Sequence, residues 1–332
     1  MFVHRPYCLR VAGILLAMLA LALVVVWPIL RDHRGTEVTR YRNALRAESG
    51  VAEDFAWTPA NWPSDFQREQ GTVPPALKQW PGLQNSEILD VWPRSLKLAG
   101  AITSKAHKGN MIAKPTMATL KIMEETGAGY CADYTKVFNA IAYAGNIQVR
   151  QWSFSFDGFG GWGHTFNEVW DDSAKRWKMI DVFNGFYPRD LNSGEVLSAL
   201  EFRDRLFSAP KSIVWERLEK DRFGFQDDAE AFRYFRRGAN EWYLWWGNDP
   251  LTYDANFLVA LAAKFGRMPE QVAGLLTGAM PRFKILLSKE NELAVATLHR
   301  VKTFLLAAAI SEALLFSLLV WQLTQWRRSV RQ

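Results

Sequence analysis

Cysteine is scarce in this chain: Cys8 and Cys131 are the only two among 332 residues. Cys8 precedes a long apolar run and Cys131 follows it, so a disulfide between them would have to cross a membrane, and Cys131 is expected to be a free thiol. Histidine is nearly as sparse. His4, His33, His107 and His299 stand apart from one another and from the cysteines, so no metal-ligand spacing arises and no metal is expected. The chain also lacks an internal repeat of convincing period and any low-complexity tract. Its formal charge of +6 is spread along the sequence instead of being gathered into an aromatic-interleaved stripe, which argues against nucleic acid. A dispersed basic balance suits anionic membrane surfaces or acidic envelope material.

Two apolar runs set the organisation. Val11 to Leu30 carries no charge and is long enough to cross about 30 Å of hydrocarbon as a helix. It ends in WPILRDHR with no small-residue cleavage site, so it reads as an uncleaved signal anchor. The second run, Phe304 to Trp321, is interrupted by Ser311 and Glu312. A mid-span carboxylate costs about 3 kcal/mol on insertion scales, which the surrounding Leu, Phe and Ile offset. Crossing is the reading adopted, against a buried or interfacial helix, and Glu312 in lipid would face a partner helix or another polar contact. Arg5 and Arg10 before the first run, with Arg327, Arg328 and Arg331 after the second, place both termini in the cytoplasm. Arg31 and Arg34 weaken that bias without reversing it. The expected order is a cytoplasmic N-terminus (1–10), a transmembrane helix (11–30), and a stalk with a Trp/Pro-rich arm (31–100). A catalytic core (101–195), a helical C-terminal extension (196–300), a second transmembrane helix (303–323) and a cytoplasmic tail (324–332) follow.

The arm contains FAWTPANWPSDF, VPPALKQWPG and VWPRS, where proline restricts the preceding residues and tryptophan reads as a packing anchor ahead of a ligand platform. Regular structure begins near Lys114. PTMATLKIMEETGAGY predicts a helix closed by Gly127. CADYTKVFNAIAYAG predicts a second, with Tyr134, Val137, Phe138, Ile141 and Ala142 on one stripe. Cys131 falls in its first turn, where unpaired backbone donors and the helix dipole favour a thiolate. Residues 146–156 predict a strand, followed by the glycine-rich DGFGGWG. HTFNEVW and WKMIDV predict two further strands joined by a turn. With Trp170 opposite Trp177, Phe166 faces Asp181 and His164 lies diagonally beside it on the same face. A one-residue slip would separate them.

Cys131, His164 and Asp181 therefore read as nucleophile, general acid and base, and orienting carboxylate of an acyl-transfer site. The backbone N–H of Cys131 is one donor for the oxyanion, and nothing in the sequence singles out a second. Taken singly, Cys131 also fits a small buried hydrophobe and Asp181 a turn cap.

GYCADYTKVFNAIAYAGNIQVR followed by GWGHTFNEVWDDSAKRWKMIDV resembles the transglutaminase-like superfamily, a branch of the papain-like cysteine peptidase folds common in bacterial envelope proteins. The resemblance covers roughly residues 115 to 190. In it Cys131 matches the nucleophile, His164 the histidine of the H-x-x-x-E-V strand, Asp181 the aspartate after the W-x-x-I strand, and Gly145 the glycine closing the core helix. VFNG replaces the frequent proline-containing turn after the aspartate. The resemblance implies an α+β domain with an antiparallel sheet packed on the cysteine helix, flanked here by two transmembrane helices, and no cofactor. The expected function is a membrane-anchored cysteine peptidase or amidase in a bacterial inner membrane, its main domain periplasmic or extracellular, acting on an envelope or secreted peptide or amide. Two alternatives stay open: a transamidase, and a non-catalytic scaffold or peptide/glycan-binding part of an envelope or polysaccharide-export assembly. Glu312 and the second transmembrane helix offer a contact to a membrane protein partner.

Overall fold

The computed structural model describes residues 5–32, 36–84, 89–103, 109–112, 114–219 and 223–331; His4, His33, Arg34 and His107 lie outside them. The chain divides into two compact units, one formed by residues 46–292 and the other by residues 1–45 and 293–332.

The latter unit is built on helices. They are α1 (Arg5–Arg31), α2 (Thr36–Arg46) but for its last residue, and α13 (Glu292–Arg331) but for its first. The stretches Tyr7–Arg31 and Lys289–Ser329 are long and apolar enough to cross a membrane, and almost nothing of their apolar windows is buried within the protein. Pro28 lies inside α1, and the Tyr41 hydroxyl donates to the Val25 carbonyl at 3.0 Å, tying α2 back to α1.

Residues 46–292 form a mixed α+β unit. Its ten strands among the described residues are β1 (Ala47–Gly50), β2 (Gln67–Arg68), β3 (Val149–Ser155), β4 (Gly163–Asp171), β5 (Arg176–Ile180), β6 (Phe186–Asp190), β7 (Ile213–Arg217), β8 (Trp242–Trp245), β9 (Gly247–Asn248) and β10 (Phe283–Leu286). The helices are α3 (Pro75–Lys78), α4 (Pro81–Gln84), α5 (Val91–Thr103), α6 (Thr116–Thr126), α7 (Cys131–Ala144), α8 (Ala199–Ser208), α9 (Asp228–Gly238), α10 (Pro250–Ala255), α11 (Phe257–Ala263) and α12 (Arg267–Leu276). The main sheet runs β1-β10-β8-β3-β4-β5, antiparallel throughout except for the parallel β1–β10 edge.

Side-chain alternation along β3 and β4 divides the core in two. On one face Val149 and Val169 pack with Val137, Phe138 and Ile141 of α7 and with α5 and α6. On the other, Trp152, Phe154 and Phe166 pack with Phe202 of α8, Phe235 of α9, and Phe55, Trp57 and Phe66 of the arm. Trp57, Trp80 and Trp92 are buried, so these arm tryptophans are packing anchors.

A charged pair sits inside the second core. Arg150 and Glu168 are cross-strand partners, both buried, with Nε donating to Oε2 at 2.5 Å. The same carboxylate accepts from Trp152 Nε1 (2.5 Å) and the Ala199 backbone N–H (2.6 Å), while Arg150 donates to the Phe55 carbonyl at 2.7 Å. The guanidinium also lies 4.3 Å from the Trp177 ring centroid and 4.8 Å from that of Trp57. Every contact satisfies charge that burial would otherwise leave exposed to a low dielectric. Glu168 thereby joins the sheet to the start of α8, and Arg150 joins it to the arm.

The expectation of helix in residues 196–300 is corrected in part. Helices α8 to α12 are there, but so are β8 at the centre of the sheet and β10 beside it. Within residues 31–100, Ala47–Gly50 is the edge strand and Val91–Thr103 is a 13-residue helix with Pro93 in its first turn, where proline's missing N–H costs nothing. WYLW is apolar throughout because it is covered on both faces, and it offers no period of two to mark it as a strand.

Candidate active site

The approach to Cys131 is made by glycine. Gly127 closes α6 in the left-handed region with φ 68°, and Gly129 has φ 149°. Tyr130 is then extended, and the Asp133 carboxylate reaches back to accept from the Tyr130 N–H at 3.0 Å and from Ile112 N–H at 3.0 Å. That cap fixes Cys131 as the first residue of α7, with the unpaired donors and positive end of the helix around its thiol.

His164 and Asp181 come from the opposite face of the sheet. Trp170 pairs with Trp177 and Asn167 with Ile180, which carries the β4–β5 register to Phe166 opposite Asp181. His164 Nε2 lies 2.7 Å from Asp181 Oδ2, which leaves Nδ1 on the other side of the ring, and Cys131 is close enough to the ring to raise its pKa. The three side chains expected from the sequence are thus brought together. Cys131 and His164 are 5% and 4% exposed and Asp181 is fully buried, while neighbouring Tyr130 and Trp162 are 39% and 44% exposed.

Asn184, which sequence reasoning missed, completes the carboxylate's shell. Its Nδ2 donates to Asp181 Oδ2 at 2.7 Å and lies 3.3 Å from His164 Nε2, and its backbone N–H donates to Asp181 Oδ1 at 3.0 Å. The VFNG turn makes this geometry. Gly185 takes φ 72°, its N–H donates to the Asp181 carbonyl at 2.9 Å, and the Asp181 N–H donates to Phe186 at 2.8 Å. An Asn-Gly turn after a strand ending in a carboxylate was the available signal.

Tyr234 was also missed, because nothing local on α9 distinguishes it. Its ring centroid is 5.8 Å from that of His164, edge to face, and it packs 5.7 Å from Phe154 and 5.2 Å from Phe156. Burial pushes its hydroxyl pKa up, and the Cys131 thiolate, Tyr130 and Asp181 push in the same direction. The hydroxyl makes no hydrogen bond among the described residues.

Electrostatics favours a charged His164. Burial alone would lower its pKa, but the Asp181 charge and hydrogen bond, then the hydrogen bond and charge of Cys131, raise it to about 10. At neutral pH the ring is therefore protonated.

No metal-holding group of three or more His, Cys, Asp or Glu side chains occurs among the described residues. A cavity of about 470 Å³ lined by Trp62, Arg68 and Asp249 adjoins a smaller one that reaches Tyr143 and Asn146, at the end of α7 remote from Cys131. It takes no part in this site.

Neither the protein-family models nor the curated proteins include a match to this chain. Among solved structures the chain is similar to a candidate cysteine protease from Cytophaga hutchinsonii, with 14% identity and a TM-score of 0.29, over 51% of this chain and 50% of that one. The chain spans about half the length of that protein, and at this level of similarity the case for the site rests on its own geometry.

Proposed function

We propose that the protein is a membrane-anchored cysteine peptidase or amidase of transglutaminase-like type, hydrolysing an amide bond through a thioester on Cys131. One observation carries this reading: Asp181 holds the buried His164 ring at 2.7 Å through Nε2, and the ring's pKa stands near 10, raised by Asp181 and then by Cys131. A binding surface has no need of a buried imidazolium beside a thiol.

Cys131 Sγ attacks the carbonyl carbon, forming a C–S bond while the carbonyl electron pair moves onto oxygen. The Cys131 backbone N–H and the Tyr234 hydroxyl are proposed as the donors that meet this oxyanion, Tyr234 being the second donor that the sequence left open. A donor of this kind is worth about 10²- to 10³-fold in kcat. The oxygen pair then returns, the C–N bond breaks and His164 gives its proton to the leaving nitrogen. Water attacks the thioester, His164 takes the water proton, and the carboxylic acid leaves as the C–S bond breaks. Asp181 and Asn184 act through His164, holding the ring and stabilising its charge.

Anchoring by the two apolar helices, with both termini cytoplasmic and residues 46–292 on the periplasmic or extracellular side, supports an envelope or secreted peptide as substrate. Glu312 and the second apolar helix are proposed as the contact to a membrane protein partner, since a carboxylate within an apolar span seeks a polar neighbour.

The test is the pH dependence of Cys131 alkylation by iodoacetamide in the detergent-solubilised chain, with Cys131→Ser used to subtract labelling at Cys8. Rapid labelling persisting below pH 7 and lost in His164→Ala supports the reading. A simple thiol titration near pH 8.5, unaffected by His164→Ala, overturns it.

A further inference from the structure

Beside the site, α9 presents a cation that the chemistry above does not use. The Arg237 guanidinium lies 4.6 Å from the ring centroid of Phe156 and 4.6 Å from that of Trp162. Those two rings are 5.6 Å apart, Phe156 is 5.2 Å from Tyr234, and Tyr234 is 5.8 Å from His164. A continuous row of rings thus runs from the proposed general acid to an exposed tryptophan at the margin, with Arg237 at its outer end.

Arg237 is exposed and forms neither an ion pair nor a side-chain hydrogen bond among the described residues. Arg233, one helical turn earlier on the same face of α9, is likewise exposed and unpaired among them. By contrast, Arg217 is paired with Asp228 and Arg205 with Asp190. Glu241, the nearest acid in sequence, is occupied by the Gly158 N–H at 2.8 Å and helps set the loop that carries Trp162. Stacking fixes the plane of a guanidinium and leaves its N–H edge free, the arrangement that favours a two-point bond to a carboxylate.

We infer that Arg237 is a substrate-binding residue, so that the preferred substrate is an acidic peptide with a carboxylate two or three residues from the scissile amide. The row reaches at most about 16 Å from His164 to Arg237, and a hydrogen bond of about 3 Å at each end leaves at most about 10 Å of extended peptide, which is up to three residues at about 3.3 Å each. Arg233 adds field of the same sign. This inference rests on the proposed cysteine chemistry and names the substrate class for that site.

The experiment uses the full chain in detergent and electrophiles of graded length. Iodoacetyl-(Gly)n with a free carboxylate is compared with the same compound as its C-terminal amide, for n from 0 to 3, again subtracting Cys8 with Cys131→Ser. The acid/amide ratio of Cys131 alkylation rates is expected to peak at n of 2 or 3, by about two- to fivefold, the range for a partly exposed ion pair. Arg237→Gln should remove that peak, Arg237→Lys should keep part of it, and raising the salt to about 1 M should flatten it. A ratio independent of n, or a peak that survives Arg237→Gln, overturns the inference. Those outcomes leave the cysteine chemistry standing if the amide probes still label in a His164-dependent way. Loss of that dependence in every probe overturns both.

Discussion

Asp181→Asn isolates the charge that organises the site. The native carboxylate accepts three hydrogen bonds, at 2.7 Å from His164 Nε2, 2.7 Å from Asn184 Nδ2 and 3.0 Å from the Asn184 backbone N–H. An amide has one acceptor oxygen. Placed at the Oδ2 position, it serves His164 and the Asn184 side chain but turns its NH2 against the Asn184 N–H; reversed, it opposes the other two donors. An unsatisfied buried donor costs about 1–3 kcal/mol, and breaking a buried ion pair costs about 3–5 kcal/mol in all. The expected loss at pH 7 is therefore about 3–5 kcal/mol in urea unfolding followed by tryptophan fluorescence. It should shrink toward pH 10, where His164 of the native protein loses its own proton. Because each pKa unit of the imidazole is worth about 1.4 kcal/mol, Cys131 alkylation at pH 6 should fall by about tenfold or more. An unfolding free energy within about 1 kcal/mol of the native value, together with a superimposable labelling profile, would refute the assignment of Asp181 as the group that charges His164.

The pKa of His164 is raised from 6.5 to about 10, so its contribution to stability is complete below about pH 6.5 and is lost as pH rises through 10; melting temperatures across pH 6 to 10.5 should fall more steeply in the native protein than in His164→Gln. Glu168→Gln leaves the buried Arg150 without its counter-charge and should cost about 3–5 kcal/mol in urea unfolding; a loss below about 1 kcal/mol would contradict the role given to that pair. At Gly163 an added Cβ would stand 1.9 Å from the Phe154 carbonyl oxygen, so Gly163→Ala should displace the start of β4, lowering stability by at least about 1–3 kcal/mol and slowing His164-dependent labelling. Tyr234→Phe should weaken inhibition by peptide aldehydes, which form an oxyanion on Cys131, by about tenfold or more while leaving iodoacetamide labelling within about twofold; equal effects on both reagents would remove Tyr234 from the oxyanion site.

Local rules carried much of the site. The stripe on α7 and the glycine after α6 placed Cys131 at a helix start, and the turn between Trp170 and Trp177 set the register that puts His164 beside Asp181. Asn184 was less legible because its meaning depends on a carboxylate three residues earlier being aimed at a histidine on another strand. Tyr234 was illegible: α9 reaches the site only because Phe235 packs against Phe154, Phe166 and Phe202 from distant parts of the chain.

The sheet shows the same division. β4 and β5 are joined by a short turn, and a period of two over a few residues specifies their pairing. β1 and β10 meet across nearly the whole unit, with Ala47 paired to Phe283, and β8 enters between β10 and β3 as an apolar run without alternation. Sequence by itself determined the two apolar helices, the cysteine helix and the hairpin bearing His164, since each is fixed by neighbours within a turn or a strand length. Tertiary structure alone decided that Asn184 and Tyr234 border the same histidine, that Arg150 and Glu168 are buried together, and that Arg237 stacks on Phe156 and Trp162 with no ion pair among the described residues. Those relations depend on side-chain packing between segments far apart in the chain, where no local period constrains which residues meet.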